Sequence, residues 1–71
     1  MSSQAKTNVL MNFSQLLADY GDMFFSSGDI DQDYNLITST INRQGYWAGN
    51  AVRYFFDKDL NLINIEERSF G

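Results

Sequence analysis

Apolar residues recur at intervals of three and four from Leu10 through Phe13, Leu17 and Tyr20 to Phe24, and Val9, Leu16 and Met23 widen the stripe. That period predicts an amphipathic helix of about five turns. Thr7 or Asn8 can cap its start, and Ser26-Ser27-Gly28 can end it with Gly28 in the left-handed region. Met1 to Lys6 is polar and aperiodic, so residues 1–6 are expected to be a disordered tail and residues 7–71 a single small domain. Asn12, Gln15, Asp19 and Asp22 interrupt the apolar run at the spacing of a soluble helix's polar face, which argues against a membrane span. Asn12 also breaks any signal-peptide core, and a cytoplasmic location is expected.

The period changes in the second half of the chain. Tyr46 to Phe56 is rich in Val, Tyr and Phe, and Leu60 to Ile65 is aliphatic and alternating, with Asp57-Lys58-Asp59 between them. Aromatic and β-branched residues suit a pleated, half-buried surface, and short acidic side chains hydrogen-bond the backbone ahead of them, so the stretch reads as a β-hairpin. Leu60 stands where such a turn usually has Gly.

Tyr34 to Gln44 supports two readings. Leu36 to Ile41 is rich in β-branched residues, and Asn42-Arg43-Gln44-Gly45 fits a type I turn, which makes a third strand. Alternatively Ile30, Tyr34, Ile37 and Ile41 share a helix face, with three Asp at its start and Arg43 and Gly45 at its end. The strand is the preferred reading. The expected fold is therefore α+β, one N-terminal helix packed on a three-stranded antiparallel meander; the alternative is two helices followed by a β-hairpin.

If Asn42 faces Tyr46 and Asp57 faces Asn61, alternation puts Ile37, Ile41, Trp47, Ala51, Phe55, Ile63 and Ile65 on the face that receives the helix, with Gly49 giving room for close approach. Arg53 falls on that face at some cost. Tyr34, Tyr54, Phe56 and Leu62 then lie on the other side, an uncovered aromatic face expected to act as an interface and to pair the chain with itself. A second helix over residues 31–43 would cover that face instead.

The chain has 71 residues, no Cys and no His, and 15% aromatic residues. Disulfides and ordinary structural zinc are ruled out, and so small a core needs dense aromatic packing or self-association. The usual catalytic base and the best nucleophile are missing, and no motif surrounds the serines, so a non-catalytic protein with no cofactor is expected. Two oxygen-rich runs, Asp29 to Asn35 and Asp57 to Asn61, resemble calcium loops but lack the Gly at the sixth position and the Glu at the twelfth, where Thr40 and Arg68 stand. No metal site is expected.

The net charge is −4, and Asp19, Asp22, Asp29, Asp31 and Asp33 carry the imbalance within one window free of Lys and Arg. Such a surface repels nucleic-acid backbones and anionic lipid, and invites a basic partner protein. In an extended segment Asp29, Asp31 and Asp33 would lie about 6.6 Å apart along one side, a phosphate-like spacing. The functional expectation is an inhibitor or modulator that offers this acidic surface, as a nucleic-acid mimic, to a basic partner. The alternative is an assembly subunit that oligomerises through the aromatic sheet face.

Overall fold

The computed structural model describes residues 2–50 and 52–67. Two helices, α1 (Ser3–Asp19) and α2 (Ile30–Gln44), precede three strands, β1 (Tyr46–Ala48), β2 (Val52–Phe56) and β3 (Leu62–Glu67). The strands form one antiparallel sheet in the order β1-β2-β3. The α+β class and the three-stranded meander hold, and both helices cover the same side of the sheet.

Helix α1 starts earlier and stops earlier than its stripe suggests. Ser2 caps it by accepting a hydrogen bond from the Ala5 amide at 3.2 Å, so residues 3–6 of the expected tail are helical. Gly21 ends it: at φ 79° it donates to the Ala18 carbonyl, while Asp22 donates to the Leu17 carbonyl at 2.8 Å. This is a Schellman closure, which needs a residue free to enter the left-handed region. The apolar pattern continues past Gly21 to Phe24, but the backbone does not.

The strand reading of Leu36 to Ile41 is overturned, because those residues lie within α2. Asp29 accepts from the Gln32 amide as N-cap, Asp31 and Asp33 sit in the positive first turn, Arg43 sits in the last, and Gly45 donates to the Ile41 carbonyl at 2.7 Å. Thr38 and Ser39 bond their hydroxyls back to the Tyr34 and Leu36 carbonyls. These end effects, with burial of Ile37 and Ile41, outweigh the weak strand preference of the intervening β-branched residues.

The third strand comes instead from a break within Tyr46 to Phe56. Gly49 donates to the Val52 carbonyl at 2.8 Å, which closes the β1–β2 turn and pairs Trp47 with Tyr54. The parity of β2 is thereby reversed from the expected one. Val52, Tyr54 and Phe56 face the helices and are buried, while Arg53 and Phe55 face outward. The awkward inward Arg53 disappears with that reversal. Ala51, expected on the helix-facing side, lies outside the described residues.

A β-bulge completes the arrangement. Phe56 pairs with Leu62 and Phe55 with Asn64, so Ile63 is an extra residue in β3. Strict alternation would send Leu62 and Ile65 to opposite faces; the extra residue lets both pack on the core, and Ile63 is left 65% exposed rather than buried. The core is Phe13 and Leu17 of α1, Ile37 and Ile41 of α2, and the three inward residues of β2. Phe13 is its hub, with ring centroids 5.5 Å from Phe24, 5.2 Å from Trp47 and 6.0 Å from Phe56. Each such buried side chain contributes about 1.5–3 kcal/mol of transfer free energy, which suits a chain with neither disulfide nor zinc.

The β2–β3 turn is held by Asp57, whose carboxylate accepts from the Asp59 and Asn61 amides, both at 2.9 Å. The bonds from Asn61, above all, hold its carboxyl below the usual carboxylate range. Leu60 occupies the left-handed region at φ 64° while its side chain packs against the core. Removing that side chain while keeping the Cβ retains the strain, so Leu60→Gly should be more stable than Leu60→Ala by about 1 kcal/mol in urea unfolding.

Candidate docking loop between the helices

Residues 20–29, between α1 and α2, hold Asp22 and Asp29 of the acidic window, and the structure buries two of the window's five carboxylates, Asp22 and Asp33. Asp22 is 5% exposed. Its carboxylate accepts from the Tyr54 hydroxyl and, at 2.9 Å, from the Asn50 amide. Burial, followed by the bond to Asp22, pushes the Tyr54 hydroxyl well above the ordinary tyrosine range. Gly49 makes the approach possible, because a Cβ there would collide with the Asp22 carboxylate and lie 2.8 Å from the Tyr54 ring. The room expected at Gly49 is real, and a loop carboxylate fills it rather than a helix.

Asp33 pins the other end of the loop. It is 3% exposed and accepts from the Ser26 hydroxyl at 2.5 Å, the Ser27 hydroxyl at 2.7 Å and the Ser27 amide at 3.1 Å. Hydrogen bonds from Ser26 and then Ser27 hold its carboxyl below the usual carboxylate range. Asp29 is occupied as the α2 cap, Asp31 meets Lys6 at 2.9 Å, and Asp19 accepts from Gln15 at 3.0 Å. The regular row of carboxylates expected along Asp29, Asp31 and Asp33 is not formed, since the segment is helical from Ile30 and Asp33 is buried. Among the described residues no three acidic side chains gather as metal ligands would.

The aromatic interface expected at Tyr34, Tyr54, Phe56 and Leu62 is likewise corrected. Tyr54 and Phe56 belong to the core, Leu62 packs against it, and Tyr34 is half-buried beneath the Lys6 ammonium, 5.5 Å from the ring centre. The physical cause is α2, which covers that side of the sheet.

Between the two carboxylate pins the loop alternates. Phe24 points inward, with its ring 5.8 Å from Trp47 as well as against Phe13. Its neighbours point out: Met23 is 71% exposed and Phe25 82% exposed. Phe25 stands between two shallow depressions. One, of about 470 Å³, includes Leu36, Thr38, Ser39 and Asn42 of α2. The other, of about 250 Å³, includes Met23, Trp47, Ala48 and Gly49. Sequence reasoning missed Met23 and Phe25 as surface residues because it continued the helix through them. The available signal was Gly21, after which Asp22, Met23, Phe24 and Phe25 follow a period of two rather than 3.6.

A further cleft of about 250 Å³ runs between α1, α2 and the β2–β3 turn, floored by Phe13, Ile37, Ile41 and Phe56 and rimmed by Asn12, Asp59 and Asn61. Among the described residues, no helix is long and apolar enough to cross a membrane. Comparison with protein-family models, curated proteins and solved structures returned no match.

Proposed function

We propose that this protein is a non-catalytic binding module that docks on another protein through the α1–α2 loop, with Met23 and Phe25 as anchors and Leu36 beside them. The observation that carries this reading is the combination of a firmly held backbone and exposed large apolar side chains. A mobile loop could tuck Phe25 away, whereas this one is fixed by Asp22, Phe24 and Asp33 on either side of it. Aromatic residues and Met are enriched at interface centres, and anchors fixed before binding lose little conformational entropy on docking.

The partner is a protein whose apolar pocket is flanked by Lys or Arg. Asp19 and Asp29 lie on either side of the anchors in the chain and are exposed, Asp31 shares its charge with Lys6, and the net charge is −4. Opposite charges at the rim would speed encounter and orient the partner while the anchors supply affinity. An inhibitor or modulator of a basic protein fits this chemistry, with the contact made by apolar anchors inside an acidic rim rather than by imitation of a phosphate row.

Photo-cross-linking in the cells that make the protein tests the reading. A benzoyl-phenylalanine at position 25 should give an adduct that the same group at position 11, exposed on α1, does not. Excess wild-type chain should compete for it, and a Met23→Ser/Phe25→Ser variant should not. With the partner purified, that variant should bind at least about tenfold more weakly, a loss in the range of interface anchors. Equal binding by the variant, or no adduct specific to position 25, ends the proposal.

A further inference from the structure

The side of the sheet turned away from the helices has no covering layer among the described residues. Cross-strand pairing sets Tyr46, Phe55 and Asn64 in one row across it, and Ala48, Arg53 and Glu66 in the next. The Tyr46 and Phe55 rings are 5.3 Å apart, and the Arg53 guanidinium lies 5.3 Å from the Tyr46 ring centre. Ile63, displaced by the bulge, adds an exposed aliphatic group beside Asn64. An antiparallel sheet can leave one face in water, but such a face ordinarily alternates to polar residues. This one carries two half-buried aromatics, with the exposed Ile63 of the bulge next to Asn64.

Its charges are the second observation. Arg53 and Glu66 are opposite in sign, on neighbouring strands, and separated by 4.0 Å, the loose end of ion-pair geometry. A face with one charge of each sign side by side is complementary to itself. We propose that a second copy of this chain covers it. A two-fold axis lying along the strands between β2 and β3 sets each Arg53 against the partner copy's Glu66, and each Phe55 against the partner copy's Ile63 and Asn64. This surface is separate from Met23 and Phe25, so the proposal stands or falls independently of the docking loop. A dimer would also present two docking loops and raise avidity for a repeated partner.

Three short strands offer far less than the roughly 800 Å² per partner of a standard interface, so the association is weak and needs measurement up to about 1 mM. Sedimentation equilibrium of the wild-type chain and two charge reversals decides the matter. Arg53→Glu makes the face doubly acidic and Glu66→Arg makes it doubly basic; both positions are exposed, and circular dichroism confirms folding of each variant. Each reversal alone should weaken self-association at least about tenfold. An equimolar mixture of the two should regain the dimer mass, as should the double swap. The Glu66→Arg result is the more telling, since that change lowers the net negative charge and would otherwise favour association. Met23→Ser/Phe25→Ser should dimerise as wild type does. A wild-type chain that stays monomeric, reversals that dimerise unchanged, or a mixture that fails to pair overturns the proposal and leaves Arg53–Glu66 as an ion pair within one chain.

Discussion

Asp22→Ala is expected to lower unfolding free energy by about 3 kcal/mol, the upper range for loss of buried hydrogen bonds to a charged group. The change removes the acceptor for the Tyr54 hydroxyl and for the Asn50 amide together. Tyr54 is fully buried, so its hydroxyl has no water to turn to. A domain of this size has only about 5 kcal/mol of stability, so the variant should sit near its unfolding midpoint in mild urea. Tyr54→Phe removes the stranded hydroxyl, and Asp22→Ala/Tyr54→Phe should therefore lose less than the two single changes added together. Equal and additive losses would mean that the two groups act separately. The pair also sets an alkaline limit. The hydroxyl's value is raised in the folded chain, so its stabilising effect is complete below about pH 10, where unfolded tyrosine ionises, and is lost as pH rises through the higher folded value. Urea midpoints measured from pH 8 upward should fall more gently in Tyr54→Phe than in wild type.

The loop gives this prediction a functional consequence. Without the Asp22 carboxylate the segment keeps its backbone bonds to α1 at Gly21 and residue 22, the Phe24 contacts at its centre and the serine bonds to Asp33 at its far end, but loses its tie to Tyr54 and Asn50. Amide exchange across residues 22–25 should quicken before that of α1 or β2 does. If the loop docks as proposed, affinity for its partner should fall although Met23 and Phe25 are unaltered, because the cost of ordering the loop is then met at binding.

How far the sequence revealed the fold depended on which interactions were local. The hairpin around Asp57, the awkward Leu60 and the part of the α1 apolar face from Leu10 to Leu17 are set by neighbours in the chain, and these are present as expected. The helix ending at Gly21 is local too, but an apolar period carried through Phe24 masked it. The second helix was legible only as an alternative, since its caps at Asp29 and Gly45 competed with a β-branched centre. The face of β2 was not legible, because its parity depends on the β1–β2 turn, and a shift of one residue reverses every side chain. The bulge at Ile63 has no marker such as Gly in the sequence. Most consequential, the sequence shows five aspartates between positions 19 and 33 and cannot show that Asp22 and Asp33 are buried. Their partners Tyr54 and Asn50 are some thirty residues distant in one case, and ordinary loop serines in the other. The same missing contacts hid Met23 and Phe25, whose exposure follows from where their neighbours are tied.

Gly49→Ala should cost about 2 kcal/mol, the middle of the range for forcing an extra carbon into a packed site. Gly49 adopts an ordinary backbone conformation, so the penalty is one of space rather than of dihedral strain. The new methyl group meets the Asp22 carboxylate and stands 2.8 Å from Tyr54 Cε2, and neither neighbour is a free chain end that can swing aside. The carboxylate is the softer of the two, since its loop can lift while β2 cannot. Relief should come by displacement of Asp22, with the same quickened exchange at residues 22–25 that Asp22→Ala produces. In the Asp22→Ala background one of the two collisions is already gone, so the two changes together should cost about 1 kcal/mol less than their sum. Full additivity in urea unfolding would show that the collision with Tyr54 dominates and that Gly49 guards the sheet alone. Subadditivity would identify Gly49, Asp22 and Tyr54 as one unit that fixes the α1–α2 loop to the β1–β2 turn.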